Sequence, residues 1–207
     1  MQADPTPKRA SCATCLRPRS ACICRWIAPV ASSVEVLVLQ HPLEVGNAKN
    51  SARLLHLSLP GSQLVVGEAF DPDVLETRLF SGGRAPVLLY PVTPGDASLG
   101  IAPAPVVEIR ALGDPGAVRL VVLDATWRKS RKMLYQNPAL QALPRLALCD
   151  MPASNYRIRK AHAPDQLSSL EAAAYALMQL HGDPARFQPL LDAFDGFVSQ
   201  QAAFARA

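Results

Sequence analysis

RLVVLDATWRKSRKMLYQN, residues 119–137, opens with four consecutive aliphatic residues, Leu120 to Leu123, and closes that run on Asp124. A short, valine-rich apolar run without alternation is the pattern of a strand buried on both faces, as in a parallel sheet. TWRKSRKMLYQN (126–137) then reads as a helix, and a strand passing straight into a helix is the repeating unit of an α/β fold. Outward from this unit the same alternation recurs. VEVLVLQ (34–40) is a second buried strand, ended by His41-Pro42. GNAKNSARLLHLS (46–58) has helical spacing and is stopped by Pro60-Gly61. SQLVVGE (62–68) and APVLLYP (85–91) read as strands, with DPDVLETRLF (71–80) between them as a helix carrying Pro72 in its first turn. Short strands are expected at PVVEIR (105–110) and LPRLALC (143–149), and helices at 167–182 and 185–205. The expected fold is an α/β sheet, with ligands at the carboxyl ends of its strands.

Composition agrees with a real core. Hydrophobic residues make up 49% of the 207 and charged residues 18%, which excludes a disordered chain. No apolar run approaches the roughly 20 residues that cross a bilayer. The opening MQADPTPKRASCATC lacks the apolar core of a signal peptide, so a cytoplasmic location is expected. A net charge of +4 hides a block at 119–160 with nine Lys/Arg against two Asp/Glu. Such a block suits a phosphate-facing surface as well as a solvated helix face.

Four of the five cysteines, Cys12, Cys15, Cys22 and Cys24, fall within CATCLRPRSACIC. In a reducing compartment that clustering points to a metal rather than to disulfides. Zinc takes four soft ligands, and four thiolates leave no open position, so a structural zinc is expected in a module spanning residues 1–30. Residues 31–207 form the remaining domain. No GxGxxG and no GxxxxGK[ST] occurs, so neither a dinucleotide fingerprint nor a phosphate loop is present.

Polar residues leave the apolar runs at His41 and Glu44, at Tyr90-Pro91, at Asp124 with Thr126 and Trp127, and at Asp150. Asp124 stands out, with two readings: a site carboxylate at a strand end, or a cap for the following helix. Trp127 is equally a stacking ring or a core aromatic. Arg128, Lys129, Arg131 and Lys132, set among Trp127 and Tyr135, combine cations for phosphates with rings for bases. SNYRIRKAHAP (154–164) puts Tyr156 and Lys160 on one side of an extended segment and Arg157 and Arg159 on the other, a pair suited to clamping an anion. LSSLEA (167–172) fits a capping box between Ser168 and Glu171.

Read together, HPLE (41–44), LYP (89–91), LDATW (123–127), YRIRK (156–160) and LSSLEA, preceded by C-x2-C-x6-C-x-C, resemble the ordered motifs of the DTW-domain family. The resemblance runs from Cys12 to the helix beginning near Leu167. It implies a SPOUT-like open sheet with a C-terminal trefoil knot, and a tRNA-uridine aminocarboxypropyltransferase using S-adenosylmethionine as group donor. Implied donor contacts are Leu89, Tyr90, Pro91, Leu123, Asp124, Thr126, Arg157, Arg159 and Ser168. Asp124, Trp127 and Glu171 are the implied catalytic set: Asp124 as base or counter-charge, Trp127 as a stacking ring, and Glu171 or Asp124 for the donor's ammonium. tRNA, with neither DNA nor a membrane, is the implied partner, met by Arg17, Arg19, Arg128, Lys129, Arg131, Lys132, Tyr156 and Lys160. His41, Glu44 and Asn50 are further motif positions. The chain departs from relatives where Asn50-Ser51-Ala52-Arg53 has Ala52 in place of glycine, removing access there to positive backbone angles. A methyltransferase using the same donor, and a non-catalytic zinc RNA-binding protein, fit the same residues.

Overall fold

The computed structural model describes residues 10–91, 95, 97–101, 103–148, 151, 152, 154 and 167–204. Its strands and helices alternate, as the apolar runs require: β1 (Glu35–Gln40), α1 (Ala52–Ser58), β2 (Gln63–Val66), α2 (Pro72–Phe80), β3 (Ala85–Leu89), β4 (Val118–Asp124), α3 (Trp127–Gln136), α4 (Pro138–Gln141), β5 (Arg145–Leu146), α5 (Ser169–His181) and α6 (Pro184–Phe204). All five strands are parallel, in the order β2-β1-β4-β3-β5.

Strand periodicity divides the core into two layers. Val36 and Val38 of β1, with Leu120 and Val122 of β4, face Leu54 and Leu55 of α1, Leu170 and Leu177 of α5 and Phe187, Phe194 and Phe197 of α6. Leu37, Leu39, Val121 and Leu123 point the other way, onto Leu75 and Leu79 of α2, Met133 and Leu134 of α3 and Leu140 of α4. Both faces of β1 and β4 are therefore covered, which is why their sequences show no polar alternation. Truncating any of these buried leucines to Ala costs about 2–5 kcal/mol.

The chain leaves β1 toward β2 on one side and leaves β4 toward β5 on the other. β1 and β4 are neighbours, with Gln40 opposite Asp124 at their carboxyl ends. In an open parallel sheet this reversal leaves a crevice beyond the strand ends, the usual place for a ligand.

Several elements differ from expectation. The segment 105–110 forms only a single bridge, Val106 with Arg145, followed by a 3-10 turn at Ile109–Ala111. Pro103 and Pro105 lack the N–H groups a ladder needs. β5 is shorter than 143–149 and starts after Pro144 for the same reason. α1 begins at Ala52 rather than at residue 46, because Asn50 Oδ1 accepts the Ala52 N–H at 3.1 Å and fixes the start there. Ala52 is not among the residues with positive φ, so the missing glycine strains nothing. Among the described residues no helix is long and apolar enough to cross a membrane. Asp150, Tyr156, Arg157, Arg159 and Lys160 lie outside the described residues.

Candidate functional site

Asp124 ends β4 and is 4% exposed. It does not cap α3, whose N-cap is Thr126 with no side-chain cap bond. Its carboxylate reaches across the crevice instead. Oδ2 accepts from Gln40 Nε2 at 2.9 Å and from Asn50 Nδ2 at 2.5 Å, and Oδ1 accepts from Ser169 Oγ at 2.7 Å. The capping reading of Asp124 is thereby corrected. Three neutral donors, from β1, the turn before α1 and the first residue of α5, converge on one buried carboxylate. Such an array holds a negative charge in a fixed orientation without cancelling it.

A recess of about 60 Å³ opens beside it, lined by Glu44, Asn47, Asn50, Ser51, Ser168 and Ser169 together with Asp124. Glu44 is buried, in a 3-10 turn (Pro42–Glu44) that His41 starts by accepting the Leu43 N–H on Nδ1 at 3.1 Å. With Nδ1 accepting, Nε2 donates to Glu68 Oε1 at 2.9 Å. His41 thus shapes the turn rather than facing ligand. Glu44 accepts from Lys129 Nζ at 2.8 Å and from Asn47 Nδ2 at 3.0 Å. Lys132 and His41 together hold the Glu68 carboxyl below its ordinary range.

Glu171 is a cap. Its Oε2 accepts the Ser168 N–H at 2.8 Å, while Ser168 Oγ accepts the Glu171 N–H at 3.1 Å, and Ser154 Oγ lies within 3.0 Å of both carboxylate oxygens. It does not line the recess, although Ser168, its capping partner, does.

On the far side of β4, Leu89 ends β3, Leu123 is the last residue of β4 before Asp124, and Pro91 is exposed. Tyr90 is buried, with its hydroxyl 3.1 Å from Ser130 Oγ and its ring edge-on to Trp127 at 5.4 Å. Trp127 is 42% exposed and Tyr135 60%, so both are surface rings rather than core aromatics. With Arg128 they form an outward face of α3. Of the cations expected to meet RNA, Arg19 and Arg128 are exposed, Lys129 is drawn in by Glu44, and Lys132 pairs with Glu68 at 2.9 Å.

The four thiols of Cys12, Cys15, Cys22 and Cys24 lie within 4.8 Å of one another, with Cys12 to Cys24 at 3.6 Å and Cys15 to Cys22 at 3.7 Å. A tetrahedron of thiolates about 2.3 Å from a zinc ion has S–S edges of about 3.8 Å, so the set fits that metal. Leu16 takes a positive φ of 62° and turns the chain back, with its N–H on Cys12 O at 2.9 Å. The backbone N–H groups of Cys15 and Thr14 pull the Cys12 thiol down to about 6; burial and the adjacent thiols push Cys24 up to about 12. The module is no loose appendage: Cys15 and Ile23 belong to the main core, and Trp26 packs on Gly196 of α6, where a β-carbon would collide with its ring. Arg17, expected to meet RNA, is half-buried and donates to Ala48 O at 2.6 Å and Asn50 O at 2.7 Å.

Gln40, Ser169, Asn47 and Ser130 were not singled out by sequence reasoning. Gln40 ends an otherwise aliphatic strand and Ser169 follows the capping serine, which are the two signals that mark them.

These features define a parallel α/β protein with a buried strand-end carboxylate at its topological switch point and, packed against its main core, a cluster of four thiols that could hold a metal ion. The chain belongs to the DTW-domain family, whose model, described as "DTW domain", matches residues 9–202. It is 30% identical over 197 residues to tRNA-uridine aminocarboxypropyltransferase 2 of Drosophila melanogaster, covering 92% of this chain and 74% of the fly protein. It is 26% identical to the proteins of the same name from Macaca fascicularis, over 84% of this chain and 57% of that protein, and Mus musculus, over 94% and 64%. No solved structure matches the chain.

Proposed function

We propose that this chain is a tRNA-uridine aminocarboxypropyltransferase. It transfers the 3-amino-3-carboxypropyl group of S-adenosylmethionine to N3 of a uridine in tRNA and releases 5′-methylthioadenosine. The observation that carries the reading is the match to the DTW domain over residues 9–202, with Asp124 of that motif buried among three donors at the switch point. Fly, macaque and mouse proteins named for this activity support it.

The sulfonium carries three carbons, and which one reacts is set by positioning. In the transfer, the N3 lone pair bonds to the aminocarboxypropyl carbon attached to sulfur, the C–S bond breaks, and its electron pair neutralises the sulfonium as a thioether. The N3 proton passes to solvent. Asp124, held by Gln40, Asn50 and Ser169, supplies a fixed negative charge for the donor's cationic groups. Trp127, exposed beside Tyr90, stacks on the adenine or the target base, while Leu89 to Pro91, Leu123, Thr126 and Ser168 border the donor. Arg157 or Arg159 takes the donor carboxylate, and Arg19, Arg128, Arg131, Tyr156 and Lys160 meet the tRNA. We read the sheet as SPOUT-like with a C-terminal trefoil knot, residues 1–30 as a structural zinc module, 31–207 as the catalytic domain, and the location as cytoplasmic.

The test is incubation with S-adenosylmethionine and unmodified tRNA, followed by nucleoside mass analysis and measurement of methylthioadenosine. An aminocarboxypropyl adduct on uridine is expected. A methyl adduct, or no turnover with a folded, metal-loaded protein, overturns the proposal.

A further inference from the structure

The turn between Glu44 and α1 supplies Asn50, Asn47 and Ser51 to the recess, yet it is short and carries no strand hydrogen bonds. Its own bonds, Asn47 N–H to Glu44 O at 3.1 Å and Asn50 N–H to Asn47 O at 2.9 Å, shape it locally, and contacts from other elements set where it sits. The cysteine module does so through two arginines. Arg17, between the two cysteine pairs, donates NH1 to Ala48 O at 2.6 Å and NH2 to Asn50 O at 2.7 Å, and lies 5.1 Å over the ring of Phe197, which is itself fully buried. Arg53, from the first turn of α1, donates back to Thr14 O at 3.0 Å. The segment 48–53 and the cysteine loop are therefore stapled in both directions.

The staple ends on the carboxylate. Asn50 offers its backbone carbonyl to Arg17 and its side-chain Nδ2 to Asp124 Oδ2 at 2.5 Å, while its Oδ1 accepts from Gln40 Nε2 at 3.2 Å and from the Ala52 N–H. A guanidinium fork bonded to two successive-turn carbonyls fixes both the place and the tilt of that turn, which a lysine's point charge cannot do. Charge-assisted bonds of this kind have the strength to hold a turn against its own conformational entropy.

We infer that Arg17 is a positioning residue for transfer: it sets Asn50, and through Asn50 the orientation of Asp124, so that the cysteine module is a built part of the donor site rather than a remote RNA-binding lid. The inference rests on the transferase reading above. A displacement on the order of 1 Å at a reacting centre costs about 100-fold in rate, so even partial release of the turn is measurable.

A double-mutant cycle tests it, with methylthioadenosine release as readout and metal content measured for every variant. Arg17→Ala is expected to lower kcat/KM for S-adenosylmethionine at least tenfold, with the KM for tRNA and its salt dependence unchanged. In an Asn50→Ala background the same change is expected to add less than about twofold, because the group it acts through is gone. Effects that multiply in the double variant, or a loss confined to tRNA KM, overturn the inference. Should Arg17→Ala lose its metal, Arg17→Lys carries the same cycle, keeping the cation while losing the fork. The cycle is read in unfolding free energy as well. A wild-type protein that folds, binds metal and transfers nothing thus refutes the transferase reading alone, whereas an active wild type in which Arg17 and Asn50 show no coupling in kcat/KM refutes this one.

Discussion

Replacing Asp124 with asparagine separates charge from packing at the centre of the site. Asparagine is nearly isosteric, and its amide orients itself by what surrounds it. Gln40 Nε2 and Asn50 Nδ2 both donate, so the amide oxygen must face them, leaving its NH2 toward Ser169, whose hydroxyl reverses to accept. All three bonds survive as neutral ones. Charge-assisted bonds contribute about 1.5–3 kcal/mol each and neutral ones about 0.5–1.5, so the expected loss is about 3 kcal/mol. At about 2–4 °C per kcal/mol for a chain of this size, the melting midpoint should fall about 6–12 °C. Asp124→Ala instead strands three donors at about 1–3 kcal/mol each, enough to unfold a marginal domain. For the asparagine variant, transfer should drop at least about 100-fold, the scale on which a preorganised electrostatic group acts. Calorimetric melting and nucleoside mass analysis check the two halves. Turnover within about threefold of wild type would refute the role of the charge. An asparagine variant as unstable as the alanine one would refute the convergent hydrogen bonding.

Three further outcomes follow from the geometry. Glu35 is pushed up by burial but held lower, on balance, by Arg119, with Gln63 and Arg84 assisting; its carboxylate oxygens lie 3.0 Å from Arg119 NH2, and Oε2 lies 3.0 Å from Arg84 Nε. Its depressed pKa stabilises the fold above about pH 4.3, the unfolded value, and that contribution is lost as pH falls through the folded one. Glu35→Gln should therefore cost about 1.5–3 kcal/mol at pH 7, with the two unfolding curves converging in acid. Metal analysis should find one zinc per chain, and Cys15→Ser or a chelator should remove it and lower the melting midpoint, since Cys15 sits in the main core. Arg128→Ala should weaken tRNA binding and reduce the slope of log K against log salt by about 1, whereas Lys129→Ala, whose ammonium is on Glu44, should leave that slope unchanged.

The strands with two covered faces were legible because burial on both sides leaves no alternative composition: β1 and β4 fall within a residue of their expected bounds. Elements whose extent depends on partners were not. The proline-broken segment 105–110 has strand composition but only two backbone bonds to Arg145, and no local signal says how few it will make. At the site, Asp124 and the four cysteines stood out because their types are costly to bury or cluster unless used. Gln40, Asn47 and Ser169 did not, since a neutral amide or hydroxyl becomes meaningful only when the fold aims it at a charge. The partners of Arg17 and Lys129 were hidden for the converse reason: a cation in a basic run looks solvent-facing until its carbonyl or carboxylate partner is brought to it from another element.

That last point bears on how donor and RNA meet. α3 is amphipathic with respect to partners as well as to the core: Lys129 turns toward Glu44 at the recess, while Trp127, Arg128 and Tyr135 face outward. The carboxylate at the end of β4 and helix α3 are separated by only Ala125 and Thr126, and Ser130 ties the helix to Tyr90 at the end of β3. On the proposed reading, a base stacked on Trp127 is held at the carboxyl edge of the sheet by this direct connection. The proposed transfer needs the uridine and the sulfonium carbon within about 3–3.5 Å with their orbitals aligned, and the strand-helix junction, linked through Asn50 to Arg17, is the element we propose sets that alignment. Insertion of a single glycine between Ala125 and Thr126, which shifts Thr126 and Trp127 relative to Asp124, should consequently reduce transfer by orders of magnitude in a protein that still folds; turnover within a few fold of wild type would undo this account.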